Sequence, residues 1–343
     1  AGELDSIGDV PGVTVGHFTL AQGARQTGVT VVRPHEGDPF RNKVPAAATV
    51  LNGFGKSCGL IQVEELGVLE TPIALTNTFA VGAVANAQIR QAIAANPEIG
   101  RAWPTVNPLV FECNDGYLND IQAQAVAEAH YEQAWRGAAS VFEQGSVGAG
   151  RGMSSFGFKG GIGSASRLAE AYPGQRYTVG ALVLSNFGQR SSMTIAGRPF
   201  GRRLAAAARD GEPAGQPEKG SIILLLATDA PLDSRQLRRL SLRAGAGLAR
   251  TGSVFGHGSG DIALAFSTAY TIPHLAERGM PVQVMLHETR IDALFEAAAE
   301  AVEQAIVAAL WRAETVAGRD GHVRRAIREA APQWRQWLAE TAF

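Results

Sequence analysis

Gly220-Ser-Ile-Ile-Leu-Leu-Leu-Ala-Thr-Asp-Ala-Pro-Leu232 opens with two small residues and passes at once into an unbroken apolar run, Ile222–Ala227. A run this short and continuously apolar reads as a strand covered on both faces. Immediately upstream, Arg209–Gly220 (RDGEPAGQPEKG) carries three Gly, two Pro and five charged residues without apolar periodicity, the composition of a flexible loop. The break between the two falls at Gly220–Ser221.

Working outward, further β-type runs occur at Val13–Val15, Val29–Val32, Ile73–Leu75, Tyr177–Leu184, Ile262–Phe266 and Val282–Leu286. Helical spacing of apolar residues appears between them. In Tyr117–Trp135 the residues are Leu118, Ile121, Ala125 and Ala129; in Ser234–Arg250 they are Leu237, Leu240, Ala244 and Leu248, behind an Asp233 N-cap. Asp292–Trp311 predicts a third long helix. Buried strands interleaved with helices give a layered α/β protein.

Composition narrows the function classes. The 343 residues hold 31 basic and 32 acidic side chains, so no net field steers nucleic acid or an anionic membrane. No run of about 18 apolar residues offers a bilayer span. The two cysteines, Cys58 and Cys113, make neither a metal spacing nor a disulfide framework, and the seven His are scattered, so no metal or cofactor is expected. His287-Glu288 lacks the second His of a zinc-protease motif, and Gly148-Ala-Gly150-Arg-Gly152 lacks dinucleotide-fingerprint spacing. Arg235, Arg238, Arg239 and Arg243 form a basic helix face that suits solvent or a subunit contact. The first residue is Ala1; the expectation is a cytoplasmic protein, with the periplasm as the alternative if a leader preceded it.

Downstream of the Ser221 run, Gly256-His-Gly-Ser-Gly-Asp261 leads directly into the Ile262–Phe266 strand. If the two strands are neighbours, Ser221, Ser259 and Asp261 converge at one sheet edge. A Ser hydroxyl needs a base to become a nucleophile, and a freed α-amino group on the same residue, with a pKa of about 7.7–8.0, can serve. Taken alone, Ser259-Gly260-Asp261 also suits a turn, Asn186 before Phe187-Gly188 a strand end, and Glu112 beside Asn114-Asp115-Gly116 a helix start.

The order of several stretches goes further. Asp9-Val-Pro-Gly-Val-Thr-Val-Gly16, Thr27–Val32, Glu112-Cys-Asn-Asp-Gly116, Leu118-Asn-Asp-Ile121, Gly148-Ala-Gly150, Ser185-Asn-Phe-Gly188, Gly220–Leu232, Gly256–Asp261 and Ala265-Phe-Ser-Thr268 together resemble the β-peptidyl aminopeptidase and D-stereospecific aminopeptidase family across nearly the whole chain. Ser259 and Asp261 follow Ser221 by 38 and 40 residues. The resemblance implies a four-layer αββα sandwich over 1–343, like N-terminal-nucleophile hydrolases but with different connectivity. It implies autoproteolysis at Gly220–Ser221 into an α chain, 1–220 with a flexible 209–220 tail, and a β chain, 221–343. It further implies a homo-oligomer of such pairs, a tetramer.

The resemblance also assigns roles. Ser221 is the nucleophile, Ser259 and Asp261 its supporting pair, and Asn186 the oxyanion-stabilising amide. Glu112, with Asn114 beside it, anchors the free ammonium of a short peptide or amino-acid amide. Some relatives carry Glu where Asp261 stands. The implied activity is release of N-terminal β-, D- or small L-amino acids from peptides, amides or esters. Two rivals remain: ornithine-acetyltransferase-like acyl transfer, whose nucleophile is Thr, and an uncut, non-catalytic relative.

Overall fold

The computed structural model describes residues 1–207, 219–277 and 279–339. Two sheets form its centre. A four-stranded sheet runs in the order Thr14–Gln22, Arg25–Arg33, Ile73–Asn77, Leu109–Cys113. A seven-stranded sheet runs Ile272–Pro273, Asn42–Gly53, Gly258–Ser267, Lys219–Thr228, Gln175–Asn186, Gly161–Tyr172, with Val68–Leu69 added beside Asn42–Gly53.

Alternation along the strands explains the layers. In Lys219–Thr228, Ile223, Leu225 and Ala227 join Leu182, Leu184, Leu264, Phe266, Leu75 and Phe111 in a core between the sheets. Ile222, Leu224 and Leu226 point the other way, into a core shared with Ser234–Arg250 and Asp292–Trp311. On the outer face of the smaller sheet, Val29, Val31, Ala74 and Val110 pack on Val84, Ala87, Tyr131 and Ala134 of the Val81–Ala95 and Glu128–Arg136 helices. The result is helix, sheet, sheet, helix, the αββα order expected.

The unbroken apolar run after Ser221 is thus a central strand with both faces dry. It pairs antiparallel with Gln175–Asn186 and parallel with Gly258–Ser267. The Ser234–Arg250 helix starts where Asp233 predicts: the Asp233 carboxylate accepts from Gln236 N at 2.7 Å, and the Gln236 side chain accepts from Asp233 N at 3.2 Å, a reciprocal capping box. Its basic face is occupied by contacts within the chain: Arg235 and Arg239 pair with Glu288, Arg238 with Glu64, and Arg243 lies over Phe295.

Two expectations fail. Val282–Leu286 forms no strand; Val282 and Val284 are 97% and 90% exposed, so its apolar run has no sheet beside it. The helix expected over Tyr117–Trp135 shrinks to Glu128–Arg136 after a single 3-10 turn at Ile121–Ala123. Leu118 is buried, but Asn119 beside it uses its side chain on Gln26 N and Asp115, which ties this segment to the sheet edge rather than to a helix. The linker expected over 209–220 lies outside the described residues as far as 218; Lys219 and Gly220 already belong to the Ser221 strand.

Candidate active site

Strand register brings the sequence-separated residues together. Ser221 is the register partner of Asn186 on one side and of Gly260 on the other. Directly paired residues share a sheet face, so the Ser221 and Asn186 side chains lie together. Ser221 Oγ accepts from Gly260 N at 3.1 Å. Gly220 precedes it with φ +134°, a conformation that favours glycine. A Cβ there would stand 2.0 Å from Asn186 O. The residue before Ser221 is therefore fixed as glycine by both its backbone and its neighbour.

Ser259 and Asp261 lie two apart on the neighbouring strand and share one face. Both are fully buried, and Ser259 Oγ donates to Asp261 Oδ1 at 2.5 Å. Their register partners are Gly220 and Ile222, so they flank Ser221 along the neighbouring strand, on the sheet face opposite its hydroxyl. The loop feeding this strand is drawn in by Asn52, whose Nδ2 donates to the carbonyls of Gly256, His257 and Ser259.

Asn186 is oriented from two sides. Its Oδ1 accepts from Ser154 N at 2.9 Å, and its Nδ2 donates to Asn114 O at 3.0 Å. Ser154 N cannot bond to an NH2 group, so this contact sets the amide's direction. One N–H of the amide is used on Asn114, and the nitrogen carries a second.

Glu112 ends a strand of the other sheet. Its carboxylate is buried and accepts from Lys56 N at 2.7 Å and from Thr78 Oγ1. Asn114 differs from Glu112 in kind: its side chain is exposed and closes an Asx turn onto Gly116 N at 2.9 Å, while its backbone carbonyl holds Asn186. Cys113 between them is buried, and its thiol is pushed well above its usual pKa by burial and by the negative charges of Glu112, Asp261 and Asp115. A thiolate nucleophile is disfavoured there.

The next carboxyl, Asp115, is fully buried; burial raises its pKa to about 7 against hydrogen bonds from Thr27 and Asn119. Fully buried Lys159 gives its ammonium to Gly150 O and Gly160 O at 2.7 and 2.8 Å, and burial holds its pKa well below the lysine range. Lys56, Thr78, Asn52, Ser154, Gly260 N–H and Lys159 were not singled out from sequence. Most act through backbone groups or short polar side chains whose partners lie far along the chain, so no local pattern marks them.

Similarity to known proteins now adds to this geometry. The model of peptidase family S58 matches residues 5–324. The chain belongs to peptidase family S58. It is 40% identical over 344 residues to beta-peptidyl aminopeptidase BapA of Sphingosinicella microcystinivorans, covering 94% of this chain and 85% of that protein. Among solved structures, the PH0078 protein of Pyrococcus horikoshii OT3 superposes with a TM-score of 0.92 at 48% identity, over 99% of this chain and 96% of that one. The L-aminopeptidase D-Ala-esterase/amidase of Ochrobactrum anthropi, described as a prototype for the serine aminopeptidases and a new variant of the Ntn hydrolase fold, gives 0.87 at 36% identity over 97% and 95%. This S58 chain is accordingly a serine aminopeptidase, a hydrolase acting on peptides, with that variant fold. No helix among its described residues is long and apolar enough to cross a membrane.

Proposed function

We propose that this S58 enzyme matures by cleaving its own Gly220–Ser221 bond and then works as an N-terminal-nucleophile aminopeptidase, one αββα unit made of an α chain, 1–220, and a β chain, 221–343. The observation that carries the reading is the pairing at Ser221: its hydroxyl lies against the Gly260 amide and opposite the Asn186 amide, directly after a glycine held at φ +134°. Once freed, the Ser221 α-amino group takes the hydroxyl proton as Oγ attacks the scissile carbonyl. The Ser259–Asp261 pair steadies that amine from the adjacent strand. Asn186 Nδ2 and Gly260 N–H meet the developing oxyanion, where one well-placed donor is worth roughly 3–4 kcal/mol.

The proton then passes to the leaving amine, and water hydrolyses the Ser221 ester to return the hydroxyl. Glu112 pairs with the substrate's ammonium, so the enzyme counts from a free N-terminus. A blocked amine leaves this buried carboxylate without its partner, a penalty of about 3–5 kcal/mol. Substrates are N-terminal β-, D- or small L-residues on short peptides, amides or esters, and the processed pairs assemble as a tetramer. The test is to offer purified enzyme a free-amine peptide amide, its N-acetylated form, and acetylornithine with glutamate. Hydrolysis of the first alone is expected; acyl transfer from acetylornithine to glutamate contradicts the reading.

A further inference from the structure

Lys159 is a fully buried basic side chain that the reaction described above does not use. Lysine is seldom buried completely without a partner, so its place needs a reason. Its surroundings lie around the amide of Asn186. Ser154–Ser155 and Phe158–Lys159 form a short antiparallel hairpin in which Ser154 and Lys159 are register partners. The peptide group between Met153 and Ser154 has both ends engaged. Met153 O accepts from Gly160 N at 2.9 Å, and Ser154 N donates to Asn186 Oδ1 at 2.9 Å. That group is planar and trans, so whatever directs its carbonyl also directs its N–H.

Lys159 holds both flanks of this peptide group. Its Nζ donates to Gly160 O at 2.8 Å, on the residue whose N–H meets Met153 O, and to Gly150 O at 2.7 Å. Gly150 O also accepts from Met153 N at 3.2 Å. One side chain thus joins the two residues that fix Met153 at its nitrogen and at its carbonyl. The other support of Asn186, Asn114 O, is followed directly by buried Asp115. Burial and the neighbouring Arg151 lower the Lys159 pKa and the Asp115 charge acts against both, so the two segments that clasp Asn186 interact through these buried groups.

We propose that Lys159 is a positioning residue for the oxyanion-binding amide: by tying Gly150 O to Gly160 O it sets the Met153–Ser154 peptide group, and through Ser154 N the direction of Asn186 Nδ2. The proposal rests on the assignment of Asn186 to the oxyanion given above. In this role Lys159 acts only through Asn186, and its effect must vanish when that amide is gone.

The test is a double-mutant cycle on a free-amine peptide amide: wild type, Lys159→Met, Asn186→Ala and both together. For each protein kcat and KM are measured per cleaved chain, and thermal unfolding is recorded. Asn186→Ala should lower kcat about a hundredfold or more. Lys159→Met should lower kcat about tenfold with KM changed less than about twofold, the mark of an interaction made only in the transition state. Added to Asn186→Ala, it should cost less than about twofold more. Equal losses in the two backgrounds, a loss confined to KM, or no loss at all overturn the proposal, because a merely structural lysine would weaken the enzyme whether or not Asn186 is present.

If Lys159→Met melts below the assay temperature, Lys159→Gln takes its place in the same cycle. Its amide keeps two N–H donors on a stem one bond shorter, so a kcat loss of about threefold is expected, confined to enzyme that retains Asn186. Additive losses, or none, again overturn the proposal. An unchanged kcat in Asn186→Ala removes the oxyanion reading and the Lys159 assignment together, whereas additive losses remove the Lys159 assignment alone.

Discussion

The proposed nucleophile and the proposed ammonium anchor are built by different means. Ser221, Asn186, Gly260, Ser259 and Asp261 come from three adjacent strands of one sheet, and pairing register fixes their relative positions. Glu112 stands near the end of a strand in the other sheet and is aimed by Lys56 N, from a loop, and by Thr78 Oγ1, from a 3-10 turn. Register is set by a strand's two buried faces, because a slip of one residue would move Ile223, Leu225 and Ala227 from the core between the sheets into the helix-packed core shaped around Ile222, Leu224 and Leu226. A loop contact has no such collective support. The catalytic half should therefore fail only when its chemistry is removed, while the anchor half should respond to single hydrogen bonds.

The sharpest way to break this contrast is Ser221→Ala. It should leave the strand and the fold unchanged, keep the chain whole on a denaturing gel, and lower hydrolysis at least about ten-thousandfold. Retained activity would remove Ser221 from the mechanism. Glu112→Gln should reduce kcat/KM on free-amine amides about a hundredfold while self-cleavage proceeds nearly as before. Equal damage to both would make Glu112 a structural residue. Thr78→Val removes one of the two groups aiming Glu112 and should cost about tenfold, chiefly in KM. No change in KM would show that Lys56 N suffices.

The remaining test concerns stability, not turnover, and the turn after Glu112. Asp115 is raised from 3.8 to about 7 in the folded protein, so the native state holds its proton where the unfolded chain releases it. The stability this proton contributes is fully present below pH 3.8 and is lost as the pH rises through 7. Asp115→Asn should therefore melt progressively higher than wild type as the pH increases from 4 to 7, by at most about 1.4 kcal/mol per pH unit, and the gap should then level off. A gap independent of pH would mean that Asp115 is ionised in the folded protein.

The same division governs how much the sequence disclosed. The strands through Ile222–Ala227 and Ile262–Phe266 were legible because burial on both faces leaves only apolar residues, and the Asp233–Gln236 capping box marks its helix from local spacing alone. Ser221, Ser259 and Asp261 could be seen to converge once those strands were taken as neighbours. Val282–Leu286 misled because an apolar run shows β propensity but not whether a sheet lies beside it. The backbone supports of both halves were illegible for another reason. Lys56 N is a backbone group 56 residues from Glu112, and Ser154 N reaches Asn186 across 32. No side-chain pattern records such partners.

The account depends most on the exposure of a serine amine and hydroxyl together at position 221. Intact-mass analysis of wild-type protein that has just been shown to turn over a free-amine amide tests this directly. Two polypeptides are expected, the smaller beginning Ser-Ile-Ile-Leu and extending to Phe343. Fully active enzyme composed of a single polypeptide with the Gly220–Ser221 bond unbroken would contradict it.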